Sequence, residues 1–451
     1  MSSPRPAAIV LAAGKGTRMK SNRAKVLHPL LGRPLLEYAL DALEGLAADP
    51  LLVVVGHEAE AVRQAVEHRA RFAEQTEQKG TGHAVMMAAP GLEGFEGPVL
   101  ITYGDMPLLT GDSLQKLLDA GADVALLSAD FPEAADFGRV IRSGEGRVIG
   151  IVEARDCTPE QLMVREVNMG CYCVQAGLLR GLLPRLGTAN DQGEYYLTDI
   201  VSLAVQGGHR VEAVKIEDLD QSLGVNTRAD LARAGEVLRE RINRKWMLAG
   251  VSILDPASTW IEPSVRIGVD TVILPQTMVQ GETVIGEGCQ IGPQTRIVSC
   301  MVGNGCTIQN SVLTEARLEE KVNVGPFAYL RPGADLGPGS KVGDFVEIKN
   351  SRIEAGAKVP HLSYVGDAEV GAKVNIGCGT ITCNYDGKAK HKTIIEEGAF
   401  IGSNTSLVAP VRVGAGARTG AGSVVNRDVE PGSTVVGVPA RPLRQKSSTT
   451  P

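Results

Sequence analysis

The stretch Ile267-Gly268-Val269-Asp270-Thr271-Val272-Ile273-Leu274-Pro275-Gln276-Thr277-Met278-Val279-Gln280-Gly281-Glu282-Thr283-Val284-Ile285-Gly286 carries one aliphatic residue at every sixth position. The beat runs through Ile267, Ile273, Val279, Ile285, Ile291 and Ile297 and resumes one phase later at Val324, Leu330, Leu336, Val342 and Ile348. It continues at Ile353, Val359 and Val365, and a last train is Ile401, Leu407 and Val413. Glycine follows the aliphatic residue at Gly268, Gly286, Gly292, Gly325, Gly343 and Gly402, among others. A period of six matches neither the 3.6 of a helix nor the 2.0 of a strand. It matches a parallel β-helix, in which each hexapeptide is a short strand plus a turn and the aliphatic residues stack into one column.

The bulk numbers agree with such a fold over half of a two-domain chain. Glycine is 53 of 451 residues, about 12% against a typical value of roughly 7%. Aromatics are only 4%, so the cores are built from Val, Ile, Leu and Ala. A formal charge of −6 without a long basic run argues against nucleic acid as a partner. No apolar run is long enough to span a bilayer, and the short run Ala7 to Ala13 lacks a cleavage-site pattern. The eight cysteines have no metal-ligand spacing. They read as buried thiols of a cytoplasmic protein, with Cys171 and Cys173 on one face of a strand.

The first 225 residues alternate strand-like and helix-like segments. Strands are expected at Ala7–Ala12, Leu51–Val55, Val99–Thr102 and Val124–Ser128, and helices at Leu35–Leu46, Ala59–His68, Ser113–Leu118 and Asp199–Val205. This rhythm implies a mostly parallel, Rossmann-like α/β sheet covered on both faces, with ligands at the carboxyl ends of its strands. Thr227 and Asp230 are spaced like a capping box and open a long helix with the apolar stripe Leu231, Val237, Leu238, Ile242 and Trp246, which Gly250 ends. The expected divisions are an α/β domain at 1–226, a helical linker at 227–249 and a β-helix at 250–451, with a disordered tail from Ser447 to Pro451.

Leu11-Ala12-Ala13-Gly14-Lys15-Gly16-Thr17-Arg18-Met19 directly follows the first strand. A glycine-rich turn at that place exposes backbone N–H groups that suit phosphate, and Arg18 and Lys25 add positive charge. The turn is neither a dinucleotide fingerprint nor a P-loop. With Lys25-Val26-Leu27 it resembles the nucleotidyltransferases that join a nucleoside triphosphate to a sugar 1-phosphate. Further stretches sharpen the resemblance: Gln75 to His83, Tyr103-Gly104-Asp105-Met106-Pro107, Gly138-Arg139, Val152-Glu153, Asn168-Met169-Gly170, Glu194 to Asp199 and Gly224-Val225-Asn226. Together they resemble, in order and over nearly the whole chain, the bacterial bifunctional N-acetylglucosamine-1-phosphate uridylyltransferase/glucosamine-1-phosphate N-acetyltransferase family.

Asp105, ending a buried strand, is placed to hold a hard cation such as Mg2+, and the resemblance adds Asn226 as a second ligand. For each residue alone a structural role, turn former or helix cap, is as good an account. The resemblance implies that Leu11, Ala12, Ala13, Gly14, Gln75, Gly80 and Thr81 contact the uridine part of UTP. Tyr103, Gly104 and Asp105 line the same site, and Gly138, Glu153 and Asn168 read the N-acetylglucosamine. Arg18 and Lys25 stabilise the charge on the departing pyrophosphate. The family has proline before the lysine; here Ala24 precedes Lys25, which loosens the loop and keeps the charge.

The repeats also resemble the hexapeptide acyltransferases, where Pro360-His361-Leu362-Ser363-Tyr364-Val365-Gly366-Asp367 matches the acetyl-transfer site with His361 as general base. Histidine is suited to taking a proton from an amine near neutral pH, although a lone histidine in a repeat is usually structural. Arg331 and Lys349 are eighteen residues apart, one coil, and two stacked cations can grip the phosphate of glucosamine 1-phosphate. By resemblance Tyr364 and Asn375 contact the sugar, Lys390 lies near the reacting groups, and Cys378, Asn384, Tyr385, Ser403 and Ala421 line the acetyl-coenzyme A site. Cys378 stands where the family often has alanine. The late arginine of the family falls on Gly437 or Val438, and Arg441 is taken in its place. Between Ile381 and Phe400 the repeat yields to a polar excursion, the kind of loop that more often serves function than decoration.

The resemblance thus implies a left-handed β-helix, a homotrimer packed through it, and a cytoplasmic enzyme that supplies UDP-N-acetylglucosamine for peptidoglycan and lipopolysaccharide. Two rivals remain at this point. One is a monofunctional sugar nucleotidyltransferase with a regulatory or assembly β-helix, against which His361 and the Asn384-Tyr385 loop speak. The other is a non-catalytic scaffold, which has no need of Gly14, Arg18, Lys25, Asp105 and Asn226 together.

Overall fold

The computed structural model describes residues 5–134 and 136–443. The expected tail, Ser447 to Pro451, lies outside them. The chain divides into two compact units, Met1–Leu238 and Arg239–Pro451.

The first unit is a twisted sheet with helices on both faces. From edge to edge its strands are Val211–Lys215, Val124–Asp130, Glu166–Gln175, Pro98–Tyr103, Ala7–Leu11, Leu51–Val55 and Arg71–Glu74. All neighbours are parallel except Glu166–Gln175, which is antiparallel to both of its partners. Alternation along Ala7–Leu11 explains the layers. Ala7, Ile9 and Leu11 pack with Ala84, Val85, Leu179 and Ile200 on one face. Ala8, Val10 and Ala12 pack with Leu36, Leu40, Val62 and Leu114 on the other.

The four strands expected with bounds lie within two residues of expectation at each end. Among the elements that escaped it are the strands Arg71–Glu74 and Val211–Lys215, the hairpin Arg139–Arg142 with Val148–Val152, and the helices Thr81–Ala88 and Ala176–Leu182. The first two are half-exposed edge strands with mixed polar sequence, so they lack the unbroken apolar run of a buried parallel strand.

The helix Arg228–Leu248 begins with the anticipated box. Asp230 N–H donates to Thr227 Oγ1 at 3.1 Å, and Thr227 N–H donates back to Asp230 Oδ2 at 2.7 Å. Ala234 and Val237 pack on Met19, Leu35 and Tyr38 of the first unit. In the second unit, the buried Asn243 donates to the Pro256 and Thr259 carbonyls, both at 3.0 Å. Arg239 lies over the Trp260 ring at 4.9 Å.

The second unit is a parallel β-helix, and here one expectation needs correction. The aliphatic residues form three columns, because three sheets run its length. Successive beats fall on successive sheets, and each column repeats only once per coil. The slip in phase has a simple cause. Register partners are eighteen apart at Ile273 and Ile291, seventeen at Ile285 and Val302, and sixteen at Ile297 and Leu313. Shortened turns move the beat while the columns stay aligned. The polar excursion is also shorter than expected, since the ladder resumes at Thr393–Ile395.

Every aliphatic residue of the beat is buried. Buried threonines at the corners satisfy their hydroxyls internally: Thr277 Oγ1 donates to the Leu274 carbonyl at 2.8 Å and Thr283 Oγ1 to the Gln280 carbonyl at 2.6 Å. The glycines after the beat are required by the stacking. A Cβ on Gly402 would lie 2.5 Å from the Thr419 carbonyl oxygen on the next coil, and one on Gly343 would overlap the Pro360 carbonyl.

Leu330→Ala, at a fully buried column position, should cost about 2–5 kcal/mol in chemical denaturation of the repeat unit. Val312→Ala, on the outward face and 40% exposed, should change stability by no more than about 0.5 kcal/mol. Equal effects would contradict the assignment of inward and outward faces.

Candidate functional site

In the first unit the chain leaves Ala7–Leu11 toward Leu51–Val55 and returns to the opposite side at Pro98–Tyr103, leaving a crevice at the carboxyl ends of adjacent strands. Leu11 and Tyr103 are register partners there. Two cavities open at this point. One, of about 340 Å³, is lined by Leu11, Ala12, Ala13, Gly14, Lys25, Gln75, Gly80, Thr81, Tyr103, Asp105 and Asn226 along with Gln78 and Glu194. The other, of about 720 Å³, is lined by Arg18, Tyr103, Asp105, Gly138, Glu153, Asn168 and Asn226, with Phe131, Phe137 and Arg233. They share Tyr103, Asp105 and Asn226. Every residue expected at the uridylyl site therefore lines one or both, except Gly104. Gly104 is a spacer: its N–H donates to the Leu11 carbonyl at 3.0 Å, and a Cβ there would crowd Leu36 and Val26.

At the shared wall the Lys25 ammonium forms an ion pair with the Asp105 carboxylate and donates to Asn226 Oδ1 at 3.2 Å. The Asp105 carboxylate thus faces Lys25, and the helix that follows is capped by Thr227, whose Oγ1 accepts from Asp230 N–H. Gly16 makes the approach of Lys25 possible, since it has φ +59° and a Cβ there would lie 2.7 Å from the Lys25 Cβ. A carboxylate and an amide oxygen that draw in an ammonium offer the donor set a hard cation prefers, so the residues fit Mg2+. Among the described residues, no group of three or more His, Cys, Asp or Glu side chains could hold a metal. A cation at Asp105 and Asn226 would take its other ligands from phosphate and water.

The walls are locally braced. Gln75 is buried and its Nε2 donates to the Gly80 carbonyl at 3.1 Å. Gly82 N–H donates to the Tyr195 carbonyl at 2.8 Å, which explains why the segments 75–83 and 194–199 both carry recognisable motifs. Asn168 is fixed through Nδ2 to the Tyr172 hydroxyl at 2.7 Å and through Oδ1 from Gly170 N–H at 3.0 Å, at a bulge in its strand. Burial, then neighbouring Asp156 and Asp199, pushes the Glu153 carboxyl above its ordinary range against a hydrogen bond from Thr198. Burial, then Glu153 and Asp105, raises the Tyr103 phenol far above its usual value. Ala24 holds φ −51° and ψ 136°, dihedrals that proline also adopts. A proline would therefore fit at this position without a change of backbone.

In the β-helix, Arg331 and Lys349 occupy the same place on neighbouring coils, as Leu330 and Ile348 are register partners. Arg331 pairs with Glu347 at 2.7 Å. Lys390, from the excursion, lies against Lys349, and that neighbouring charge lowers the Lys390 pKa. Asp367 lies among them. Its carboxylate accepts from Asn350 Nδ2 at 2.6 Å and Asn384 Nδ2 at 2.5 Å, with Lys349 Nζ 3.9 Å away. Burial pushes its carboxyl up, but these hydrogen bonds and the lysine charges hold it below the usual range. Sequence reasoning did not assign Asp367 or the Glu347 partner of Arg331. The former sits in a recognised motif and the latter sixteen residues from its partner, a spacing legible only once coil length is known.

Tyr364 Oη accepts from Asn384 Nδ2 at 3.4 Å. Asn375 lies on another sheet from Arg331, Lys349 and Tyr364. Cys378, Ser403 and Ala421 follow each other up one corner: Asn404 N–H donates to the Cys378 carbonyl at 2.7 Å and Gly422 N–H to the Ser403 carbonyl at 2.8 Å. Tyr385 is 60% exposed on the excursion. Arg441 is exposed on the terminal strand Arg441–Pro442. His361 ends the strand Lys358–His361, exposed, with Nδ1 2.5 Å from Asp344 Oδ1.

An α/β unit with a charged crevice at its switch point, joined to a hexapeptide β-helix, defines a nucleotidyltransferase fused to a repeat-built transferase. Residues 8–159 match the MobA-like NTP transferase domain, and residues 392–427 match the bacterial transferase hexapeptide, six repeats. The chain is 52% identical to the bifunctional protein GlmU of Heliobacterium modesticaldum, over 95% of this chain and 94% of that protein. It is 51% identical to the bifunctional protein GlmU of Pelobacter propionicus, over 95% of each. The chain belongs to the bifunctional GlmU family, the one its motifs resemble, and its β-helix is of the left-handed hexapeptide class.

Ala24→Pro should leave uridylyl transfer intact and raise stability by about 0.4–1 kcal/mol, read as a shift in the denaturation midpoint of the first unit. A destabilised variant would show that the Ala24 backbone is held otherwise.

Proposed function

We propose that the two units perform consecutive transfers at separate sites and that the residues gathered above carry them. As a family member the chain is a glucosamine-1-phosphate N-acetyltransferase and an N-acetylglucosamine-1-phosphate uridylyltransferase. The observation that carries the first assignment is the convergence of segments near residues 11, 25, 75, 103, 153, 168 and 226 on adjoining cavities. The monofunctional and scaffold alternatives leave one or both sites without purpose.

In the first unit the smaller cavity takes the uridine and its phosphates, the turn Leu11–Gly14 offering backbone N–H groups. The larger takes the N-acetylglucosamine 1-phosphate between Gly138, Glu153 and Asn168. A sugar phosphate oxygen attacks the α-phosphorus of UTP and pyrophosphate leaves. Arg18 and Lys25 bear on the charge that develops. Asp105 and Asn226 would hold Mg2+, which supplies charge neutralisation on the phosphates when bound. Lys25, now on Asp105 and Asn226, would then turn to phosphate oxygen.

In the second unit Arg331, Lys349 and Lys390 hold the phosphate of glucosamine 1-phosphate. Two ammonium groups side by side, as at Lys349 and Lys390, repel until an anion joins them, which favours phosphate there. Tyr364 and Asn375 contact the sugar. Cys378, Asn384, Tyr385, Ser403, Ala421 and Arg441 line the acetyl-coenzyme A site. The amine nitrogen bonds to the acetyl carbon, the carbon–sulfur bond breaks, and His361 takes the amine proton.

The acetyl site is completed in a homotrimer packed through the β-helix. Phe327 and Phe345, stacked at 5.3 Å, and Leu362 form an apolar column at one corner, all more than half exposed. Asn375 lies in the ladder of His361, with Lys358 as its register partner. Functional boundaries are set at 1–226, 227–249 and 250–451. No described helix is long and apolar enough to cross a membrane, and we place the enzyme in the cytoplasm.

Asp105→Ala should abolish uridylyl transfer and leave acetyl transfer nearly unchanged, and EDTA should have the same selective effect. Parallel loss of both activities in a folded variant would count against two sites. His361→Ala should lower acetyl transfer by roughly 100- to 10,000-fold while UTP-dependent conversion of supplied N-acetylglucosamine 1-phosphate and oligomer size are unchanged. Acetylation at the wild-type rate would make His361 structural, and dissociation of the assembly would place it at an interface.

A further inference from the structure

Most strands of the β-helix are two or three residues long, but Lys341–Asp344 and Lys358–His361 have four. They are neighbours in one ladder, and the added length brings Asp344 opposite His361. The extension depends on Gly343, where any Cβ would overlap the Pro360 carbonyl. Leu362 N–H then donates to the Asp344 carbonyl at 2.9 Å, and the strand turns away at Leu362, φ +45°. Ser363 Oγ donates to the His361 carbonyl at 2.8 Å. The backbone on both sides of the pair is thus fixed by hydrogen bonds. Across this fixed backbone the Asp344 carboxylate meets His361 Nδ1 at 2.5 Å.

We propose that Asp344 is a positioning residue for acetyl transfer, holding the His361 imidazole with Nδ1 protonated and Nε2 free to take the proton of the attacking amine. This rests on His361 as the base. A neutral imidazole has one donor nitrogen and one acceptor nitrogen, and the partner of the first decides which is which. A carboxylate accepts only, so Asp344 requires the proton on Nδ1 and leaves the Nε2 lone pair for the substrate. As Nε2 gains the amine proton the ring becomes a cation, and the carboxylate stabilises it without itself taking a proton. The same bond from His361 holds the Asp344 carboxyl below its ordinary range.

The other charged groups near this pair are Lys341 on the strand of Asp344 and Lys358 on the strand of His361, themselves register partners. The strand on the far side, Asn375–Ile376, carries no titratable group, and the Cys378 thiol follows it. Among the described residues Asp344 is the carboxylate in contact with the ring. Its negative charge favours the imidazolium over the neutral ring. Activity needs the neutral ring and is lost where acid protonates it. Removing the charge must move the acid limb of the profile to lower pH.

The test measures kcat and kcat/KM for acetyl transfer against pH in the full chain, for wild type, Asp344→Asn, Asp344→Ala and His361→Ala. Uridylyl transfer from supplied N-acetylglucosamine 1-phosphate serves as the folding control. Asp344→Ala should lose at least about 10-fold on the neutral plateau, less than the roughly 100- to 10,000-fold loss of the base itself. Asp344→Asn, which keeps the shape and loses the charge, should move the acid limb of kcat/KM to lower pH. An unshifted limb in both variants would overturn the proposal, whether or not the plateau falls, because a merely structural aspartate lowers activity without moving the limb. If His361→Ala is inactive and both Asp344 variants behave as wild type, the positioning role fails while the base survives. If His361→Ala acetylates at the wild-type rate, the base assignment fails and the proposal with it.

Discussion

Backbone hydrogen bonding between successive coils is the constraint on which the acetyl-transfer half depends. Each rung pairs with the next at sheet spacing, so any side chain at a register position is delivered to within reach of its partner one coil later, sixteen to eighteen residues on outside the polar excursion. Arg331 above Lys349 and Asp344 against His361 are products of that ladder. The same spacing forbids a Cβ at Gly343 and Gly402. Chemistry and packing are therefore not separable in this unit: the hydrogen bonds that stack the coils also set the distances between functional groups.

The α/β unit solves the problem of placement differently. Its ligating groups lie on loops beyond strand ends, where no ladder fixes them, and they are held by local polar contacts. Gln75 on the Gly80 carbonyl, Asn168 between Tyr172 and Gly170, and Lys25 between Asp105 and Asn226 are examples. On the proposed function such contacts would exchange with a metal and a nucleotide at little structural cost, Lys25 turning to phosphate where Asp105 and Asn226 would take a cation.

Much of this was legible in the residues. Ile267 to Ile297 announce the β-helix because burial in a column demands an aliphatic side chain on every beat, and Thr227 with Asp230 announce the helix because orphan N–H groups demand a cap. The number of columns was not legible, because a period of six does not say how many strands make a coil. Edge strands such as Val211–Lys215 were missed because one exposed edge removes the pressure for an apolar run. At the site, Lys25, Asp105 and Asn226 were named by motif, yet their mutual contact needs the fold to bring residues 80 and 201 positions apart together. The contacts of Asp344 and Asp367 were not legible for the same reason, since their partners are one coil away and coil length varies along the chain.

The central claim is that one chain performs two different transfers. It is tested most directly by mass spectrometry of a reaction containing glucosamine 1-phosphate, acetyl-coenzyme A, UTP and Mg2+, with each omitted in turn. The account predicts UDP-N-acetylglucosamine from the complete mixture and accumulation of N-acetylglucosamine 1-phosphate when UTP is left out. It predicts no UDP-N-acetylglucosamine when acetyl-coenzyme A is left out, unless acetylated sugar phosphate is supplied. Conversion of supplied N-acetylglucosamine 1-phosphate with no acetylation of glucosamine 1-phosphate under any condition would contradict it and leave the β-helix as an assembly device.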